Sequence, residues 1–208
     1  MAASDTEIAN LALSHLGQGL GIQNLTTSKT PEANTFRMLY DTVRRATLRD
    51  FPWGFAHKIA PLGLVTERGE DASHPTEEWI YSYRQPADCL MFRKIQSGIR
   101  NDNRQSRVPY KTSKDADGVL IFTDKEDAVL EYTIDMVQVE MYPDDFVLAF
   151  SLRLAMYAAP KICGEDPFKM GQRAANMYRY EIERAMDNNS NEQQDEEMPE
   201  SELVRART

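Results

Sequence analysis

Two pairs of amphipathic helical segments lie about a hundred residues apart in this chain, and a segment of a different kind separates them. Apolar residues recur with helical spacing in Thr6–Leu16, Pro31–Phe51, Pro143–Ile162 and Pro167–Met186. Between them, Ile59–Ile134 consists of short β-branched and aromatic runs divided by turn residues. A short helical pair cannot bury its apolar face alone, so the first pair is expected to pack against the second.

This arrangement predicts an α+β fold that is mainly α. An antiparallel helical bundle is expected from the N- and C-terminal segments, with a small antiparallel β module inserted between them. The predicted domains are residues 1–56 and 141–187 for the bundle, 57–140 for the β module and 188–208 for a flexible acidic tail. The tail is rich in Asn, Gln and acids and is expected to be disordered, because such a composition cannot form a core.

Local signals place the element boundaries. Ser4 and Glu7 have the spacing of a capping box, Thr30 precedes Pro31 at a helix start, and Pro160 is expected to kink or interrupt the third helix. The aromatic corner of residues 51–55 is interpreted as packing rather than a ligand cage. The predicted strands are Ile59–Val65, Ile80–Tyr83, Cys89–Ile95, Val119–Thr123 and Ala128–Ile134.

The composition excludes several classes of protein. A net charge of −9 and a pI near 4.9 argue against a general DNA-binding protein, whose phosphate contacts need a basic face. The same negative charge is compatible with a protein that lets DNA slide past it, because an acidic surface repels the phosphates. Cys89 and Cys163 lie in unrelated segments and favour a reducing compartment. No apolar stretch approaches the length of a membrane helix, so no membrane partner is expected. The chain is expected to be made in the cytosol.

Two groups of basic residues are candidates for binding. Arg37, Arg44, Arg45 and Arg49 are assigned to the polar face of the second helix, either as a solvated face or as an inter-subunit or partner contact. The segment 99–114 is the most basic of the chain and is expected to form a loop between strands. It could touch nucleic acid or face an acidic neighbouring subunit; its basic residues are Arg100, Arg104, Arg107, Lys111 and Lys114.

No motif of catalysis is recognisable. His15, His57 and His74 occur singly, without a second ligand at metal spacing, and no nucleophile elbow, zinc-protease, phosphate-loop or dinucleotide fingerprint occurs. The expectation is a protein that is not an enzyme and has no cofactor or metal. A site built from scattered Asp, Glu and His residues stays open as a hydrolase alternative.

Several motifs, in order along the chain, resemble one family. They are Glu7–Gly17 (EIANLALSHLG), Ala46–Ala56 (ATLRDFPWGFA), Trp79–Leu90 (WIYSYRQPADCL), Val129–Thr133 (VLEYT), Tyr142–Phe146 (YPDDF), Leu152–Ala155 (LRLA) and Ser201–Arg207 (SELVRAR). Together they resemble the tail tubular protein A family of bacteriophages, the head-to-tail adaptors of short-tailed phages. Gly54 departs from the resemblance, since a bulkier polar residue, commonly Asn, is expected there. The basic segment 99–114 lies where such proteins vary.

The resemblance implies a structural virion protein at the head–tail junction, made in the host cytoplasm. It would form a ring of twelve copies that joins the capsid portal protein to the tail nozzle protein, with genomic double-stranded DNA passing through the lumen. The C-terminal segment of such adaptors runs along or into the portal. Composition independently predicts a tethered docking peptide there, with a frayed terminus as the alternative. Leu203, Val204, Arg205 and Arg207 are therefore the expected portal contacts.

A second function remains possible on the sequence alone. The chain could be a non-catalytic binding module of a cellular assembly that uses the basic loop 99–114 to hold an acidic ligand. A salt-sensitive affinity that depends on Arg100, Arg104 and Arg107 would favour this alternative.

Overall fold

The computed structural model describes residues 4–19, 21–69, 74–99, 106–164 and 166–192. The fold is mixed α+β, with 46% helix and 21% strand, which confirms the predicted class. The helices of the described residues are α1 (Asp5–His15), α2 (Pro31–Asp50), α3 (Asp144–Ile162) and α4 (Pro167–Glu192). Single 3₁₀ turns occupy Gly54–Ala56 and Val139–Met141.

Seven strands form two antiparallel sheets in the described part of the chain. The order is β1-β7-β4 in one sheet and β2-β3-β6-β5 in the other. In the larger sheet, Ser82 of β3 and Lys111 of β5 both pair with Phe122 of β6. The strands are β1 (His57–Pro61), β2 (Gly63–Glu67), β3 (Tyr81–Arg84), β4 (Cys89–Ile95), β5 (Lys111–Lys114), β6 (Val119–Thr123) and β7 (Val129–Ile134).

The chain divides into two compact units. The helical unit comprises the described residues of Met1–His57 and of Thr133–Asn191, and therefore draws on both ends of the sequence. The β unit comprises the described residues of Lys58–Tyr132, a continuous segment between them.

The predicted signals set the ends of the helices. The Ser4 hydroxyl accepts the Glu7 backbone N–H at 3.2 Å, and the Glu7 carboxylate accepts the Ser4 N–H at 2.8 Å, which completes the capping box. The Thr30 hydroxyl likewise accepts the N–H of Ala33. Pro160 does not interrupt α3, which continues to Ile162. A proline in the last turn removes one backbone hydrogen bond, that of its own missing N–H, and α3 ends two residues later.

The core of the helical unit is aromatic. Phe36, Phe146 and Phe150 are fully buried, and the ring of Tyr40 meets Phe150 edge-on at 5.1 Å between centroids. Trp53 packs against Phe146 at 5.2 Å and donates its indole N–H to the Thr47 carbonyl at 3.1 Å. The corner 51–55 is therefore packing, as the sequence predicts. Such edge-to-face pairs add about 0.5–1.5 kcal/mol each to the stabilisation from burial.

Helices α3 and α4 run in opposite directions. Near the end of α3, a Cβ atom added at Gly171 would lie 3.4 Å from the Cβ of Ala159 and 3.5 Å from the Met156 carbonyl oxygen. Near the start of α3, Asn188 lies 3.3 Å from the Asp145 carboxylate. The absence of a side chain at Gly171 lets the two backbones approach closely at one end of the pair.

The predicted tail begins too early. The prediction of disorder from residue 188 is wrong for residues 188–192, because α4 extends to Glu192. Asn189 is buried on this last turn, and its side-chain oxygen accepts the N–H of Gly54 at 2.8 Å. This bond gives the polar end of α4 a partner 135 residues away in sequence. Residues 193–208 lie outside the described residues.

Two predicted strands, Ile80–Tyr83 and Ala128–Ile134, differ from β3 and β7 by no more than one residue at either end, and two differences are larger. The predicted strand Ile59–Val65 is divided between β1 and β2 at Leu62, whose side chain is buried and whose N–H binds the Ala128 carbonyl at 2.9 Å. The edge strand β5 was not predicted, because its residues are polar and all exposed. The core of the β unit is small; its fully buried large side chains are Ile95, Ile121, Leu130 and Tyr132.

Candidate interaction surfaces

The four arginines predicted on the polar face of α2 do not share one surface. Arg44 is buried, with 4% of its surface exposed, so its assignment to the polar face is wrong. Its guanidinium donates to the Asp135 carboxylate at 2.7 Å and to the Met136 carbonyl at 2.6 Å. These two acceptors compensate the free-energy cost of burying the guanidinium charge. Arg44 therefore holds the segment after β7 against α2.

The other three arginines are exposed. Arg37 donates to the carbonyls of Thr26 and Ser28 and to the Asn34 side chain, so it fastens the loop before α2. Nε of Arg45 lies 3.4 Å from Oδ2 of Asp135, whereas Arg44 binds the other carboxylate oxygen, Oδ1. A role of Arg37, Arg45 and Arg49 in partner binding stays a prediction.

A second polar cluster connects three helices. Arg153 of α3 donates to the Asp50 carboxylate at the end of α2 and to the Tyr178 hydroxyl of α4, the latter at 3.0 Å. The Tyr178 hydroxyl also donates to Asp50 at 2.9 Å, and its ring lies 5.3 Å from the guanidinium carbon. Burial raises the pKa of Tyr178. Each charged group of this cluster has a partner within the chain, so the cluster has the structural role of connecting α2, α3 and α4.

The outward side of α4 carries large apolar side chains and cations. Phe168 is 83% exposed and Tyr180 is 67% exposed, and Met177 lies between them along the helix. Phe168, Lys169, Arg173 and Met177 line one open groove. We call Phe168, Lys169, Arg173, Met177 and Tyr180 the basic patch. Isolated exposed apolar residues are common, but a groove lined by an exposed aromatic ring, a methionine and two cations is typical of a binding surface.

The start of α3 carries a second exposed surface of opposite charge. Met141 is 54% exposed, and Glu140, Asp144 and Leu148 are also exposed. We call Glu140, Met141, Asp144 and Leu148 the acidic patch. The ion pairs found among the described residues do not involve Lys169, Arg173, Glu140 or Asp144. The charges of both patches are therefore available to a partner.

The basic segment 99–114 lies partly outside the described residues, which include neither Arg100 nor Arg104. Arg107 is exposed, and Lys111 and Lys114 lie on the edge strand β5. The Lys111 ammonium lies 3.6 Å from the Glu78 carboxylate, so one of its charges is already opposed by an acid of the same unit. Among the described basic residues of this segment, Lys111 therefore already has an acidic neighbour.

Chemically reactive groups have ordinary structural surroundings. Burial raises the pKa of the Cys89 thiol to about 11 and also raises that of Cys163, so both thiols stay protonated at neutral pH. Burial lowers the pKa of His15, whose Nε2 lies 3.1 Å from the Ser151 hydroxyl. The described residues contain no group of three or more His, Cys, Asp or Glu side chains placed to hold a metal. That the protein is not an enzyme and has no cofactor stays a prediction.

The predicted portal-binding residues Leu203, Val204, Arg205 and Arg207 lie outside the described residues. Among the described helices, none is long and apolar enough to cross a membrane. A comparison of the chain with protein-family models finds no match, and a comparison with curated proteins finds no significant similarity. The sequence motifs and the surfaces described above are therefore what indicates a function for this chain.

Proposed function

We propose that this chain is a structural virion protein, a head-to-tail adaptor that forms a ring, expected to be dodecameric, between the capsid portal and the tail nozzle. The observation that carries the proposal is the basic patch: large aromatic side chains on the outward side of α4, among unpaired cations of the described chain. A surface of this kind belongs to a protein that binds other proteins. The ordered motifs of the sequence select the head-to-tail adaptors among such proteins.

The charge of the chain agrees with a DNA channel. A ring of copies with a net charge of −9 each would repel the phosphates of a passing duplex, so genomic DNA would move through the lumen without being held. We also propose that the helical unit is an antiparallel bundle. Its support is the packing of α2 and α1 on α3 and the opposite directions of α3 and α4.

Portal binding is assigned to the C-terminal segment, in which Leu203 and Val204 supply an apolar anchor and Arg205 and Arg207 supply charge. Such a tethered peptide would order when it binds its partner. Many modest contacts around a ring then add to a large avidity for the portal. The proposed localisation is the head–tail junction of the virion.

Native mass spectrometry of the purified chain, alone and mixed with the portal protein from the same genome, tests the function. The expected result is a ring on the portal. Deleting residues 201–208 should abolish portal binding and leave the circular dichroism spectrum of the helical unit unchanged. A full-length chain that ignores the portal would overturn the adaptor function. Unchanged portal binding by the truncated chain would overturn the assignment to the C-terminal segment.

A further inference from the structure

The basic patch and the acidic patch begin at opposite ends of the α3–α4 pair. Phe168 and Lys169 are in the first turn of α4, close to the end of α3, whereas Asp144 begins α3. At about 1.5 Å per residue, the 19 residues of α3 separate its ends by roughly 28 Å. Phe168 and Asp144 are therefore far apart on one helical unit, and the two patches share no residue.

The two patches are complementary in charge and similar in apolar character. The basic patch offers Lys169 and Arg173 beside the side chains of Phe168, Met177 and Tyr180. The acidic patch offers Glu140 and Asp144 beside Met141 and Leu148. Opposite charges placed around apolar groups direct association and disfavour like-with-like pairing, which would bring equal charges together.

We propose that the basic patch of one copy of this chain binds the acidic patch of a second copy, in a contact that repeats from copy to copy. Unlike patches on one molecule make a heterologous contact, because each bound copy still presents one unused patch of each kind to the next. Such a contact produces a ring if the rotation between copies closes and an open chain if it does not. The ring closure, though not the contact, rests on the proposed function.

Phe168 is the expected anchor of this contact. An aromatic side chain with 83% of its surface in water gains more from burial than the partly exposed Met177 or Leu148. Lys169 and Arg173 would then face Glu140 and Asp144 at the rim, where charges control specificity and association rate.

Two double variants of the full chain test the contact. Phe168→Ser with Arg173→Gln removes the basic patch, and Glu140→Gln with Met141→Ser removes the acidic patch. All four side chains are exposed, so the helical content measured by circular dichroism should be retained. Lys114→Gln and Glu126→Gln remove charges of the same kinds at exposed positions of the β unit and serve as matched controls.

The oligomeric state is measured by native mass spectrometry, with and without the portal protein. Wild type and both controls should form oligomers in at least one of the two samples, and each double variant alone should self-associate at least about tenfold more weakly. An equal mixture of the two double variants should form a heterodimer and no larger species. Each such pair has one intact basic patch and one intact acidic patch, which is enough for one contact.

The other outcomes contradict the contact. A wild-type chain that is monomeric in both samples, a double variant that assembles like wild type, or a mixture that gives no heterodimer overturns it. Portal binding in the same samples separates the two proposals. Self-association without portal binding supports the contact and overturns the adaptor function. A portal-bound ring that neither double variant disturbs overturns the contact alone.

Discussion

In the helical unit, aromatic side chains from helices distant in sequence meet in one core, whereas fewer large side chains are fully buried in the β unit and each of them lies on a strand. Phe36, Phe146 and Phe150 are fully buried in the first. In the second, Ser82 and Thr123 are fully buried beside Ile121, and the Ser82 hydroxyl lies 2.6 Å from that of Thr66. Apolar burial is non-directional, but hydrogen bonds fix geometry for a small net stabilisation.

Variants in the two units should therefore differ in their effects on stability. A residue of the aromatic core should be the most sensitive, because its loss leaves a cavity. The loss of a single polar bond should cost less, and the effect should be smallest at a turn of the β unit. The following predictions test this difference, beginning with the largest expected effect.

Phe150→Ala should reduce the free energy of unfolding by about 3–5 kcal/mol, because it leaves a cavity at the centre of the helical core. Leu39→Ala is the matched control on α2. The sequence places Leu39 on the same apolar stripe, but the structure leaves it half-buried, so its loss should cost about 1 kcal/mol or less. Chemical denaturation monitored by circular dichroism measures both. Equal losses for the two variants would contradict the described core.

Arg44→Ala should cost about 1.5–3 kcal/mol, because two hydrogen bonds of a buried charged group are lost. The Asp135 carboxylate keeps Arg45 as a neighbour, and the Met136 carbonyl still accepts from the Tyr142 hydroxyl, so neither acceptor is left alone. Arg45→Ala is the neighbouring control; Arg45 also pairs with Asp135, but its side chain is 56% exposed, so its loss should cost at most about 0.5 kcal/mol. The same denaturation experiment compares them. A costlier Arg45 variant would show that the buried member of the pair has been misassigned.

Asn189→Ala should cost about 1–2 kcal/mol, because the Gly54 N–H loses its acceptor. Asn191→Ala, two residues later on an exposed position of α4, should change the stability by less than about 0.5 kcal/mol. Amide hydrogen exchange at Gly54, followed by mass spectrometry, provides a local measurement. Unchanged protection at Gly54 in the Asn189 variant would exclude this bond.

The smallest effect is expected in the β unit, at the turn between β5 and β6. Asp115 receives two bonds from Arg84, at 2.7 and 2.9 Å, and the Arg84 guanidinium lowers the pKa of Asp115 to about 2. The folded pKa is depressed, so the stabilisation is present above the unfolded pKa near 4 and is lost as the pH falls towards 2.

Asp115→Asn should therefore flatten the dependence of stability on pH between about 4 and 2. Glu126→Gln, at an exposed acid of the same unit, should retain the wild-type profile. Thermal unfolding at a series of pH values measures both. A wild-type slope in the Asp115 variant would show that the ion pair does not contribute to folding.

Elements with a strong local pattern were predictable from the sequence. Two strands have the predicted bounds, Cys89–Ile95 and Val119–Thr123. The N-terminal starts of α1 and α2 follow from the capping residues Ser4 and Thr30. In each case the signal lies within a few residues of the element. The mixed α+β class follows from these elements together.

Features that depend on distant partners were not predictable. The helical spacing of α2 assigns Arg44 to the polar face. Its burial depends on Asp135, a partner 91 residues later in the chain, which local spacing does not reveal. Asn189 belongs to a composition typical of disorder, yet Gly54 provides a donor for it. Strand β5 has no apolar residue and exists through its pairing with β6. The basic patch depends on which side of α4 is exposed. A charged helical pattern alone does not distinguish the exposed side from the buried one.

The division of the helical unit between the two ends of the chain has a consequence for biosynthesis. Arg153 and Thr47 meet in the folded unit although 106 residues separate them. At a synthesis rate of roughly 5–20 residues per second, α1 and α2 leave the ribosome on the order of ten seconds before α3 can cover them. The β unit, whose residues are continuous, can fold in that interval. The exposed aromatic face of α2 during this delay is a target for chaperones, and expression of the chain should therefore depend on them more strongly than its final stability requires.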